Sequence, residues 1–96
     1  MPRYFLNIRN HATFTRDEEG CELANADAAR DVAVRGARSL MSAEVADQGR
    51  LDLRASIEVV DEKGGIVLVL PFREALNILD NNGGDERTIP GKQRRA

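Results

Sequence analysis

Apolar and polar residues alternate near the start of the chain in a way that predicts an N-terminal hairpin. In residues 3–9, RYFLNIR, every second position from Tyr4 to Ile8 is apolar, which is typical of a strand with one buried side. Asn10 and His11 then suit a tight turn, because Asn tolerates positive φ. Residues 13–16, TFTR, follow as the partner strand.

The pattern changes to a helical period over residues 26–47. Apolar and small residues recur there at helical spacing, with arginines and aspartates mostly on the other side, and the stripe contains Ala29, Val32, Ala33, Gly36, Ala37, Leu40 and Ala43. Asn25 is the expected N-cap and Gly49 the expected end. Since a mid-helix glycine costs about 1 kcal/mol relative to alanine, Gly36 predicts a close approach of the helix to a sheet.

Two acidic stretches, DEEG (17–20) and DEKG (61–64), share the pattern of a type I turn closed by a left-handed glycine. The second lies between the predicted strands ASIEVV (55–60) and IVLVL (66–70) and should close a hairpin. The first should bend the chain away from its strand and toward the helix.

The C-terminal part of the chain predicts one more short element and a tail. Residues 72–79 match a short amphipathic helix with Phe72, Ala75, Leu76 and Leu79 on its apolar side. Residues 80–96 lack periodicity and predict a flexible polar tail. We therefore expect a single α+β domain over 1–79: an antiparallel four-stranded sheet (β-β-α-β-β) with one long helix on one face and a short C-terminal helix.

Strand 66–70 is apolar on both sides, unlike a strand with one wet face. Val67 and Val69 should point opposite to Ile66, Leu68 and Leu70. The long helix can cover only one set, so a second apolar surface should remain for a partner. The residues expected to form that interface are Phe5, Phe14, Val60, Val67, Val69 and Phe72.

Composition narrows the function classes. The net charge is −2 over 96 residues, which disfavours a domain built to neutralise phosphates. The single cysteine excludes an internal disulfide. Neither a signal-peptide pattern nor a stretch of about 20 apolar residues is present, so we expect a cytoplasmic protein that does not enter the membrane.

Few residues suggest catalysis or metal binding. Asp17, Glu18, Glu19 and Glu22 lack the alternate spacing of a calcium loop, and a solvated turn explains them better. His11 and Cys21 are too few for a structural zinc site. They would form a nucleophilic pair, with Asp17 orienting the histidine, only if the fold brought them together. We expect no cofactor, no metal and no enzymatic activity.

Several segments together resemble a family of small bacterial proteins of unknown function. They are the opening MPRYFLNIRN, the segment DEEGCEL, the Ala- and Arg-rich helix and the ending PFREAL, and the resemblance covers roughly residues 1–79. It implies a compact α/β domain and no established activity. In element order alone the chain is similar to HicB-type antitoxin domains.

These observations favour a small non-enzymatic protein-interaction module that forms a homodimer, with another protein as the alternative partner. The second hypothesis is an antitoxin-like or regulatory protein that contacts nucleic acid through Arg30, Arg35, Arg38 and the basic tail GKQRRA. The third is an enzyme built on His11, Cys21 and the acidic turn.

Overall fold

The computed structural model describes residues 1–79, and the predicted flexible tail over 80–96 lies outside these described residues. The strands are β1 (Arg3–Arg9), β2 (Phe14–Thr15), β3 (Cys21–Glu22), β4 (Ser56–Val60) and β5 (Ile66–Pro71). Helix α1 covers Ala26–Gln48, and a single 3₁₀ turn covers Phe72–Ala75. The predicted α+β class is confirmed, with a fifth short strand, β3, that the sequence pattern did not predict.

The antiparallel sheet has the order β2-β1-β4-β5, and β3 also pairs with β1. On the edge of β1 away from β4, β2 pairs with Ile8 and Arg9, and β3 pairs with Arg3 and Tyr4. Both predicted hairpins are present, β1–β2 and β4–β5. The prediction that DEEG bends the chain toward the helix is incomplete. The segment first returns the chain to β1, where β3 pairs, and α1 begins only after β3.

Helix α1 packs on one face of the sheet through very small side chains. Ala29, Ala33 and Ala37 recur every four residues, and all three are fully buried. Both predicted caps are confirmed. The Asn25 side chain accepts a hydrogen bond from the Ala28 N–H at 2.9 Å, and Gly49 adopts φ 64°.

The prediction that the C-terminal half of the apolar stripe is buried is wrong. Leu40 is 42% exposed and Ala43 is exposed as well, whereas the neighbouring Met41 is buried. The reason is length, because a helix of 23 residues spans about 34 Å whereas β5, with 6 residues, spans about 20 Å. The last turns of α1 therefore extend beyond the strands.

The predicted C-terminal helix is also wrong beyond its first turn. The 3₁₀ turn ends at Ala75, and Leu76 is extended at φ −124° and ψ 155°. The Arg38 Nε donates a hydrogen bond to the Ala75 carbonyl at 2.7 Å. In a continuing helix that carbonyl would accept from the N–H four residues later, so Arg38 replaces the helical bond and residues 76–79 leave the helical path.

Gly36 is not required by a close approach of the helix to the sheet, contrary to the expectation from sequence. Outside the backbone of α1 itself, the nearest atom to a Cβ at this position would be Ile57 Cδ1, at an ordinary contact distance of 3.8 Å. We therefore expect Gly36→Ala to raise the free energy of unfolding by about 0.5–1 kcal/mol through helix propensity.

Urea denaturation of the wild type and two variants checks this expectation. Gly49→Ala is the matched control, because the φ of 64° at Gly49 strains any L residue, although no atom of residues 1–79 would lie within 4 Å of a Cβ atom there. Gly49→Ala should destabilise the chain while Gly36→Ala stabilises it. Destabilisation by Gly36→Ala would mean that the helix lies too close to Ile57 to admit a methyl group at this position.

Candidate interaction surface

The outer edge of β5 carries no partner strand among residues 1–79. Among the five described strands, β5 pairs only with β4, so alternate residues direct their N–H and C=O groups toward the open side. Natural edge strands are commonly protected by charges, bulges or proline. Here a bulge stands at the start of the strand and Pro71 at its end, but the residues between them carry no charge.

The sheet face opposite α1, the outer face, carries an apolar patch beside this edge. Strand register defines it, because directly paired residues share a face. Phe5 pairs with Val60, and Val69 pairs with Glu58. The outer-face patch consists of Phe5, Val60, Ile66, Val67 and Val69.

The bulge between β4 and β5 places Ile66 in this patch. Val60 pairs with Ile66 and Val59 with Leu68, so Val67 is the extra residue and both Ile66 and Val67 oppose Val60. The expectation that Ile66 points opposite to Val69 is therefore wrong. Ile66 is 62% exposed and Val69 50%, the two most exposed side chains of β5.

Four of the six residues expected at the interface come together in the patch: Phe5, Val60, Val67 and Val69. Phe14 shares the outer face, but Arg9 lies over its ring, 4.5 Å from the centroid, and also bonds Glu58 at 3.2 Å. This polar group separates Phe14 from the patch. Phe72 is buried in the chain's own core, so its side chain is not available to a partner.

The opposite edge of the sheet is closed by the acidic segment. The Asp17 carboxylate accepts the Leu6 N–H at 3.1 Å through Oδ2. This hydrogen bond covers the part of the β1 edge that lies between the residues paired with β2 and those paired with β3. The Asp17 N–H in turn donates to Asn7 Oδ1 at 2.9 Å, which satisfies a buried polar side chain.

Backbone hydrogen bonds hold Asp17 in its charged form. Its Oδ1 accepts from the N–H groups of Gly20 at 3.0 Å and Glu19 at 3.2 Å. Burial raises the pKa of Asp17, but the bonds from Gly20, Leu6 and Glu19 together outweigh burial and lower the pKa below its ordinary value. The other acids of the segment are exposed, and Glu22 lies 3.3 Å from Arg3.

The structure does not bring His11, Cys21 and Asp17 together. Cys21 pairs with Tyr4 near the start of β1, whereas His11 follows the end of that strand. Tyr4 and Arg9 alone are about 17 Å apart along an extended strand. His11 Nδ1 instead lies 3.3 Å from Asp52 Oδ2 and 3.3 Å from Arg54 Nη2, so no nucleophile–base pair is formed by His11 and Cys21.

The three arginines expected to contact nucleic acid have different environments. Arg38 donates a hydrogen bond to the Ala75 carbonyl and so supports the 3₁₀ turn. Arg30 and Arg35 are exposed on α1. Arg38 therefore has a structural role that the sequence pattern did not reveal.

Over residues 1–79, no three side chains among His, Cys, Asp and Glu are grouped so that they could hold a metal ion. In the same range, no helix has the length and apolar character needed to span a bilayer.

Comparisons with known proteins give a family without an assigned activity. Neither the curated proteins nor the solved structures include a match to this chain. A family model described as a domain of unknown function, DUF6894, matches residues 3–73. The match contains β1 through β5 and the first residues of the 3₁₀ turn, and the chain belongs to the DUF6894 family.

Proposed function

We propose that the chain is a small non-enzymatic protein-interaction module that forms a homodimer through β5 and the outer-face patch. One observation carries the proposal: the most apolar strand among residues 1–79 is an edge strand within that range, with Ile66 and Val69 at least half exposed. Exposed apolar surface beside an unpaired strand edge is typical of a site that pairs with another strand.

A second copy of the chain fits this edge because the pairing is self-complementary. In a twofold dimer the same patch serves both subunits, and β5 meets β5 of its partner in antiparallel orientation. Like charges directly opposite each other would disfavour that arrangement. The sequence IVLVL contains no charge, so every cross-strand pair that it forms with its own copy is apolar.

Such pairing joins the two sheets into one continuous sheet and brings the two outer-face patches together. The N–H and C=O groups of β5 then find backbone partners, and Val67 and Val69 of both copies pack side by side. The closed edge of β1 takes no part, since β2, Asp17 and β3 already cover it. The asymmetry between the two edges favours a closed dimer over an open fibre.

Val69→Lys is expected to raise the dissociation constant of the dimer at least tenfold, or about 1.4 kcal/mol. A lysine there places charge on the edge and opposes its own copy near the twofold axis. The folded subunit should tolerate the lysine, because Val69 is half exposed and its cross-strand partner on β4 is the acidic Glu58. Sedimentation equilibrium over a range of concentrations measures the change.

Val45→Lys is the matched control, since Val45 is exposed to almost the same extent, 48%, but lies on α1. It should leave the dissociation constant unchanged. A wild-type chain that stays monomeric at the highest concentration would contradict the proposal. So would a dimer that both lysine variants weaken equally.

A further inference from the structure

A groove of about 760 Å³ opens at the end of the molecule where three segments meet. These segments are the turn between β1 and β2, the part of α1 that extends beyond the strands, and the loop before β4. The outer-face patch contributes no residue to the groove, so the two surfaces are independent. Volumes of this size are typical of sites for small organic molecules.

The groove has an apolar interior. Met41, Ala55 and Phe72 belong to the buried core where they line it. Leu40 and Leu51 also line it and are 42% and 46% exposed. These exposed leucines would lose contact with water if an aliphatic group entered, which supplies a favourable term of about 25 cal/mol per Å² of apolar surface buried.

Two ion pairs line the same groove, and both place the arginine outermost. Arg50 Nε bonds Glu44 Oε2 at 2.7 Å, and Arg54 Nε bonds Asp52 Oδ1 at 3.1 Å. The arginine side chains are 68% and 72% exposed, whereas those of Glu44 and Asp52 are 37% and 19% exposed. A molecule that approaches the groove therefore meets guanidinium groups before carboxylates.

Asp52 fixes the position of the groups around it. Its Oδ1 accepts from both the backbone N–H and the Nε of Arg54, while its Oδ2 lies 3.3 Å from His11 Nδ1. The backbone and side-chain hydrogen bonds from Arg54 lower the pKa of Asp52, which keeps the carboxylate charged. Arg54 also has Nη2 3.3 Å from His11 Nδ1, and its Nη1 group carries two further N–H donors for a second carboxylate.

We propose that this groove binds a small amphipathic carboxylate, with its aliphatic part on Leu40 and Leu51 and its carboxylate on Arg54 and Arg50. The combination of a leucine-lined interior and outward guanidinium groups is complementary to that ligand at both ends. A cationic ligand would meet the arginines first, and a fully polar one would leave the leucines without a partner.

Titration of the ¹⁵N-labelled full chain with octanoate, followed by NMR, tests the proposal. We expect saturable chemical-shift changes centred on His11, Leu51 and Arg54. Arg54→Gln should weaken octanoate binding about tenfold, and octanol should bind correspondingly less tightly than octanoate. Arg35→Gln is the control, because Arg35 is an exposed arginine of α1 that does not line the groove.

Arg50→Gln provides a second test should Arg54→Gln disturb the loop before β4, and it is also expected to weaken octanoate binding. Octanoate that fails to saturate, or equal affinities for octanoate and octanol, would overturn the proposal. Equal losses of octanoate affinity in Arg54→Gln and Arg35→Gln would also overturn the proposal. Binding of an acidic leucine-containing peptide without any binding of octanoate would replace the small ligand by a protein partner.

Discussion

Gly20→Ala is expected to lower the free energy of unfolding by about 3 kcal/mol or more. Gly20 adopts φ +68°, a conformation that costs an L residue about 1–2 kcal/mol. A Cβ atom there would also lie 2.7 Å from the Tyr4 carbonyl oxygen and 2.8 Å from two carbons of the Phe5 ring. The carbonyl belongs to β1 and cannot retreat without disturbing the pairing with β3. Urea denaturation measures the loss.

Gly64→Ala separates the clash from the backbone strain. Gly64 occupies the same position in the second acidic turn, at φ +84°, but no atom of the described residues would lie within 4 Å of a Cβ atom there. We expect it to cost only the conformational part, about 1–2 kcal/mol. Equal losses for the two variants would show that the Gly20 turn does not approach β1 in solution.

The first acidic turn thus determines which edge of the sheet stays open. Gly20 lets the chain pass close to Tyr4, Asp17 binds the Leu6 N–H, and Cys21 then pairs with Tyr4. Gly64 in the second turn has no such neighbour among residues 1–79, and that turn joins β4 to β5. Two similar turns therefore have different consequences, and the exposed edge of β5 remains as the proposed interaction site.

Much of the fold could be predicted because its signals are local. Helix α1, predicted over 26–47 and observed at Ala26–Gln48, has both its caps and its period in the sequence. The left-handed glycines of the two acidic turns, Gly20 and Gly64, follow from backbone sterics alone. Such features need no knowledge of residues far along the chain.

The features that were missed depend on contacts between distant residues. Strand β3 has two residues and no period of its own, and it exists because Asp17 and Gly20 hold it against β1. The predicted C-terminal helix ends early because Arg38, 37 residues away in sequence, binds the Ala75 carbonyl.

The candidate sites could also be predicted only in part, because they too depend on contacts between distant residues. Two-sided hydrophobicity led to the proposal of β5 as an interaction strand, but the bulge that adds Ile66 to the outer-face patch has no signature in IVLVL. The group around Asp52 joins residues 41 and 43 positions apart in sequence. No spacing rule connects His11 to Asp52 and Arg54, so only the folded chain reveals the groove.

Asp17→Asn is expected to lower the free energy of unfolding by about 2 kcal/mol at neutral pH. Asp17 uses both carboxylate oxygens as acceptors, Oδ1 for Glu19 and Gly20 and Oδ2 for Leu6. An asparagine amide has a single acceptor oxygen, so its NH₂ group would face an N–H donor on one side. A partly buried donor left without a partner costs about 1–3 kcal/mol.

Asp61→Asn is the matched control for this substitution. Asp61 occupies the same position in the second turn, but the N–H groups of Lys63 and Gly65 both donate to its Oδ1. The asparagine oxygen can keep both bonds, so we expect Asp61→Asn to cost less than about 0.5 kcal/mol. Chemical denaturation of both variants at neutral pH measures the difference.

The pH dependence gives the sharper test of the role of Asp17. Because its pKa is lowered in the folded chain, its carboxylate stabilises the fold fully above the ordinary aspartate pKa of about 3.9. That contribution is lost as pH falls through the lower folded value. The stability gap between wild type and Asp17→Asn should therefore narrow as pH falls below about 4. A gap that stays constant down to pH values near 2 would mean that the charged carboxylate does not close the edge of β1.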